Sequence, residues 1–244
     1  MRRTYYDTDN YYSQPTEREL KTNVIASVYK AAKSGKGQDY EPVTVISRSI
    51  ATSWWGRAWC DNLERYADYS SRLERGRRYL RMGTVIDLKI KKGHVTAKVQ
   101  GTRKTPYNVS INISPIDEDK CQRIMSVCGN KIESLERLLN GDFPMEYKDV
   151  FLDRDGLFPN PKEISFNCSC PDWAIMCKHV SAVLYGIAVR FDRDPRLFFE
   201  LRGIDVDRFV DITLENSVES MLKNVNVKSN RILADADVSK LFGL

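Results

Sequence analysis

The chain has 244 residues, 42% of them apolar and 29% charged. These proportions are near those of soluble globular proteins, and no apolar run approaches the roughly 18 residues of a membrane span, which argues against a helical membrane protein. The net charge of +5 hides an asymmetry: from Ser70 to Lys104 eleven Lys and Arg face only Glu74 and Asp87, a local +9 that leaves −4 for the remainder. Such an imbalance points to a polyanion partner, nucleic acid before membrane, with a solvated basic face as the plain alternative.

At the N-terminus, Met1 to Asn10 carries two arginines with no apolar stretch behind them, so neither a secretory signal nor an insertion sequence is expected and the chain is assigned to the cytoplasm. Thiols stay reduced there, and the six cysteines read as metal ligands and small packing residues rather than three disulfides. Residues 1–45 are polar and tyrosine-rich and are expected to form a mobile arm. One amphipathic helix is predicted in it, Glu17 to Lys33, ending at the breaker Ser34-Gly35-Lys36-Gly37. No glycine stands where a phosphate loop would need it, so nucleotide binding is not read here.

Ser53 can cap a helix that runs to about Tyr69, on which Trp55, Trp59, Leu63 and Tyr66 form one apolar stripe and Cys60 is a packing residue. An arginine-rich loop follows. Val85 to Ile90, Val95 to Gln100 and Tyr107 to Ile113 then alternate as three strands of an antiparallel meander. One face is expected against the tryptophan helix, and the other in water with several of the positive charges. Asp117 to Val127 and Lys131 to Leu139 read as two short helices, with Cys121 and Cys128 a buried pair rather than a second metal site.

From Cys168 the chain reads C-x-C-x6-C-x-H, ending at His179. Three cysteines and a histidine within twelve residues supply the four N and S donors of a structural zinc ion and leave no position open. Residues two apart on a helix point to nearly opposite sides, so Cys177 belongs at a helix start, where the helix N-terminus and Lys178 favour a thiolate. Cys168 and Cys170, after the extended run Glu163 to Asn167, share a side as strand residues do. A helix with Val180, Val183, Leu184, Ile187, Ala188 and Phe191 as its buried stripe follows. Chance clustering of these four residues is the alternative.

This pattern resembles the SWIM-type zinc finger, and the lead-in Leu157-Phe158-Pro159-Asn160-Pro161-Lys162-Glu163-Ile164 is similar to that of bacterial and archaeal SWIM zinc finger proteins. Trp54-Trp55-Gly56-Arg57-Ala58-Trp59, Arg75-Gly76-Arg77-Arg78-Tyr79-Leu80-Arg81-Met82-Gly83, Val99-Gln100-Gly101-Thr102-Arg103 and Leu241-Phe242-Gly243 are similar to stretches of the same family. The resemblance implies a ββα zinc module that binds nucleic acid or protein and is often associated with Swi/Snf-type helicase-like ATPases. It also carries the liganding positions onto Cys168, Cys170, Cys177 and His179.

Catalysis is not expected. His179 belongs to the zinc set, His94 lies in a predicted hairpin turn, and no Walker or Rossmann fingerprint is present. Asp153-Arg154-Asp155-Gly156 starts like a calcium loop, but Ile164 stands where the closing glutamate would be. The expected fold is therefore α+β: a helix and antiparallel-sheet module at 46–150, the SWIM-type module at 151–203 and a helical tail at 204–244. Its expected role is that of a noncatalytic accessory protein binding nucleic acid, DNA before RNA, through Arg75, Arg77, Arg78, Arg81, Arg103 and Lys104. Tyr79 can stack on a base if exposed. The rival is an adaptor that docks a partner ATPase through its finger and Phe198-Phe199-Glu200-Leu201 without touching nucleic acid.

Overall fold

The computed structural model describes residues 15–35, 39–122, 145, 148–152, 156–205, 211, 215, 218–219 and 222. Helix α1 (Glu17–Lys33) starts at a capping box: Glu19 N–H donates to Thr16 Oγ1 at 3.2 Å, and Thr16 N–H donates to Glu19 Oε2 at 2.8 Å. In the stretch expected to be an arm, Leu20 and Val43 are wholly buried in the core, and Ser27 donates to Gln100 Oε1 at 2.5 Å.

Ser53 caps α2 (Trp54–Glu64), accepting from Gly56 N–H at 2.9 Å. The helix stops five residues short of Tyr69, because Tyr69 is already the N-cap of α3 (Ser70–Arg81). An arginine-rich loop was the expectation for this stretch, and the structure corrects it to a helix. Arginine is a good helix former, and Leu73, Gly76 and Leu80 keep a spacing of three and four that the surrounding charges obscure.

Strands β1 (Val85–Lys91), β2 (His94–Val99), β3 (Tyr107–Ile113) and β4 (Ile164–Cys168) form one antiparallel sheet in that order. Gly93, at φ 68°, makes the tight turn between the first two. The register puts Leu88, Ala97, Val109 and Cys168 in one inward row, and Lys89, Thr96, Ser110 and Asn167 in the neighbouring outward row. Lys89, Lys91 and Lys98 thus share the outer face, as the alternation predicts. Backbone bonds from Val43 N–H to Val85 O and from Leu88 N–H to Glu41 O, both 3.0 Å, cover the β1 edge.

Helices α4 (Lys148–Leu152), α5 (Lys178–Arg193) and α6 (Arg196–Arg202) complete the described elements. The long helix α5 lies against the sheet, α2 and α3 and is buried along most of its length. Trp59, with no exposed surface, donates from Nε1 to Leu184 O at 3.0 Å and meets the rings of Phe158, Phe191 and Phe198. Asn62 on α2 and Tyr66 just after it both bond Pro159 O, at 3.0 and 2.8 Å, so the lead-in to β4 is tied to the tryptophan helix and the turn that follows it. Residues on both sides of position 150 therefore contribute to a single hydrophobic core.

Among the described residues no helix is long and apolar enough to cross a membrane. Residues 118–122 are helical. The remainder of the two helices predicted after Asp117, Cys128, the Asp153–Asp155 turn and most of the C-terminal tail lie outside the described residues.

Candidate metal centre

The site begins where β4 ends. Cys168 is the last residue of the strand, and Ser169 locks the turn to β3: its N–H donates to Asn108 O, and Asn108 N–H donates to its hydroxyl, both at 3.0 Å. Cys170 follows on the same side. The loop from Pro171 to Met176 is then pinned from α3 and from the residue pair preceding it. Arg72 Nε and Nη2 reach the two carboxylate oxygens of Asp172 at 3.0 and 3.2 Å, while Asp68 accepts from Ile175 and Met176 N–H at 3.0 and 3.4 Å.

Cys177 is the N-cap of α5, as its spacing to His179 requires, and its sulfur accepts from Val180 N–H at 3.5 Å. His179 sits in the first turn with Nδ1 3.8 Å from Cys168 Sγ and 4.0 Å from Cys177 Sγ. The ligand atoms of Cys168, Cys170, Cys177 and His179 all lie within 4.8 Å of one another. Tetrahedral zinc with bonds of about 2.3 Å to sulfur and 2.0 Å to nitrogen would separate its ligand atoms by roughly 3.6–3.8 Å. The cluster fits one such ion.

The imidazole is held by aromatic rings. Tyr107 stacks on it at 4.3 Å and 27°, Tyr79 meets it edge-on at 5.5 Å, and Nε2 is buried with no hydrogen-bond partner. Gly101 allows this: a Cβ there would stand 2.7 Å from the Tyr107 ring and 3.4 Å from Nε2. Burial holds the His179 pKa below its ordinary value, which favours the neutral, ligating form. Mutual hydrogen bonding among the three sulfurs holds the Cys170 pKa below the usual thiol range and pushes that of Cys168 above it. A bound dication would displace the thiol protons and share its charge among all three sulfurs. Cys60 is different: burial pushes its thiol up to about 12, consistent with a packing residue.

Several of the six basic residues expected to contact nucleic acid are engaged within the protein. Arg77 is occupied, 2.7 Å from Glu64 Oε1 and stacked 5.1 Å above the Tyr185 ring. Arg78 donates to Pro15 O at 3.0 Å, and the exposed Arg81 to Arg48 O at 2.7 Å. Arg75 is half-buried on the same helix. Arg103 and Lys104 are exposed on the loop between β2 and β3, with Arg103 5.2 Å above Tyr107. Arg48, Arg57, Arg77 and Arg81 instead line an open groove of about 370 Å³ beside α2 and α3, with Asp61 and Glu64 among its walls.

Tyr79 is buried and unavailable for base stacking. Phe198, Phe199 and Leu201, expected at a docking surface, are buried too. His94 lies on the outer face of the sheet, hydrogen-bonded to Asn112 Oδ1 at 2.6 Å. The sequence reading missed the exposed ring pair of Tyr69 and Trp173; the one signal for it is that Trp173 stands in the short gap between two ligands, where a loop has little interior to hide it.

Fold and site together define an α+β protein with a Cys3His cluster able to hold one zinc ion. The chain is similar to the uncharacterized protein Rv2102 of Mycobacterium tuberculosis, 38% identical over 157 residues that cover 64% of this chain and 56% of that protein. The match thus spans little more than half of the relative's length. No family model and no solved structure matches the chain.

Proposed function

We propose that the protein is a zinc-stapled, noncatalytic accessory protein that binds nucleic acid, DNA before RNA, and works beside a Swi/Snf-type helicase-like ATPase. The observation that carries the reading is the closed cluster: four good donors within 4.8 Å complete a tetrahedral shell and leave no position for water or substrate. Its ligand spacing is that of SWIM-type fingers, which supports the assignment to nucleic acid and to the ATPase. The basic helix α3 packs directly on the metal-binding helix α5, and Arg81, Arg103 and Lys104 offer exposed cations suited to phosphates.

The test is fluorescence anisotropy of labelled DNA with the zinc-loaded chain at two salt concentrations. Three phosphate contacts should weaken binding by a few tens-fold between about 50 and 200 mM salt. Arg81→Glu with Arg103→Glu should weaken it further, and these exposed positions are better probes than the ion-paired Arg77. Absent binding, or binding indifferent to salt, would sink the reading and favour the adaptor.

A further inference from the structure

Trp173 is 77% exposed and its neighbour Ile175 72%, although both lie in a loop whose backbone is held at several points. Trp173 stands edge-on to the 43% exposed Tyr69, ring centroids 5.4 Å apart. An exposed tryptophan on a floppy loop would be unremarkable. This one is presented by a segment with a cluster ligand at each end, Cys170 and Cys177, and an ion pair in its middle, Arg72 with Asp172. Its position is fixed before any partner arrives, so binding would cost little ordering entropy.

The charges around it select the partner. Two acids beside the loop are spent, since Asp68 accepts from the Ile175 and Met176 amides and Asp172 binds Arg72 and accepts from Ala174 N–H at 3.3 Å, while Glu74 on α3 is exposed. The cations beside the rings that hold His179 are not spent. Arg75, Lys178 and Arg103 have no acidic partner among the described residues; Lys178 lies 5.6 Å above Tyr79 and Arg103 5.2 Å above Tyr107, the two rings that hold His179. A loaded cluster of three thiolates would carry a net negative charge of about one, which leaves these three cations in excess. From Tyr69 to Tyr79 along α3 is about 15 Å at 1.5 Å per residue.

We infer that Trp173 and Tyr69 form a stacking platform for an unpaired base of single-stranded nucleic acid, whose phosphates run along α3 toward Arg75, Lys178 and Arg103. A duplex cannot use the platform, because its base faces are already stacked on one another. Aromatic rings beside a cationic track are the arrangement that holds a short single strand, about four nucleotides at the small end. This inference rests on the nucleic-acid reading above and narrows it to the single strand.

The experiment compares a short oligodeoxythymidine with a duplex of the same length, using the full zinc-loaded chain and its Trp173→Ala and Trp173→Phe variants. Zinc content and circular dichroism confirm that each variant is folded. Trp173→Ala should weaken single-strand binding on the order of tenfold, Trp173→Phe should recover most of it, and duplex binding should stay unchanged. Single-strand binding that survives Trp173→Ala while Arg103→Glu weakens it would overturn the platform and leave the proposed function standing. Equal losses for single strand and duplex would overturn it as well, since stacking acts on one alone. Failure of the wild-type chain to bind either form would remove both readings, as would a Trp173→Ala effect confined to a copurifying protein.

Discussion

At Gly76 helix α3 comes close to the backbone of α5. A Cβ there would stand 3.0 Å from the Ala182 amide nitrogen and nearer still to the Ser181 side chain. In an exposed helix Gly→Ala gains about 1 kcal/mol, but here the added methyl meets backbone and the sign should reverse. Gly76→Ala is expected to lose about 1–2 kcal/mol in urea unfolding, and a more stable variant would show that the two helices can separate freely. Glu163 is the second telling position. Arg202 is fully buried and its Nη2 lies 2.8 Å from the Glu163 carboxylate, which also accepts from Asn160 N–H at 2.8 Å. Burial alone would raise the Glu163 pKa, yet these two donors outweigh it and hold the group below the usual carboxylate range. Its contribution is thus present above the ordinary carboxylate pKa and lost as pH falls through the lowered value. Glu163→Gln should cost about 2 kcal/mol at neutral pH, and the difference from wild type should shrink on acidification. A difference that is constant with pH would show that the pair is not what matters.

The elements differ in how plainly the chain announces them. Strands β1 to β3 follow from alternation, because a sheet with one wet face must carry polar residues at every second position, as Lys89, Thr96 and Ser110 do. The cluster is legible for a related reason: ligand spacing is a one-dimensional property, and placing Cys177 at the start of α5 needs only helix geometry. Helix α3 is not legible in that way. Its arginines dominate the composition, and the close approach through Gly76 exists only because α5 lies opposite. The pairing of Arg77 with Glu64 and the burial of Tyr79 likewise depend on how helices pack, so contact residues chosen by charge alone include some that are already engaged. Exposure of Trp173 was hidden for the converse reason, since an aromatic is ordinarily expected inside.

Taken as a body, the described chain hangs on α5, which supplies the first turn of the cluster, the partner of α3 and the carbonyl that Trp59 bonds. Zinc bound by such a donor set is worth about 10 kcal/mol or more in isolated fingers, comparable with the 5–15 kcal/mol total stability of a typical domain. Chelation is therefore expected to unfold the protein in one transition, with the far-ultraviolet helix signal and tryptophan emission changing together. A first step that moves only one of these probes would mean that residues 160–195 melt by themselves and that the shared core does not couple the two regions.

The ligands are neighbours in sequence as well as in space. Twelve residues separate the first donor from the last, inclusive, whereas the contacts that build the core reach across 97 residues from Asn62 to Pro159 and 125 from Trp59 to Leu184. Closing a loop ten times longer costs about 2 kcal/mol more in chain entropy. A chain released into a zinc-containing medium can therefore close its metal loop before the tryptophan helix docks on α5. The order of events in folding would then run against the order of synthesis.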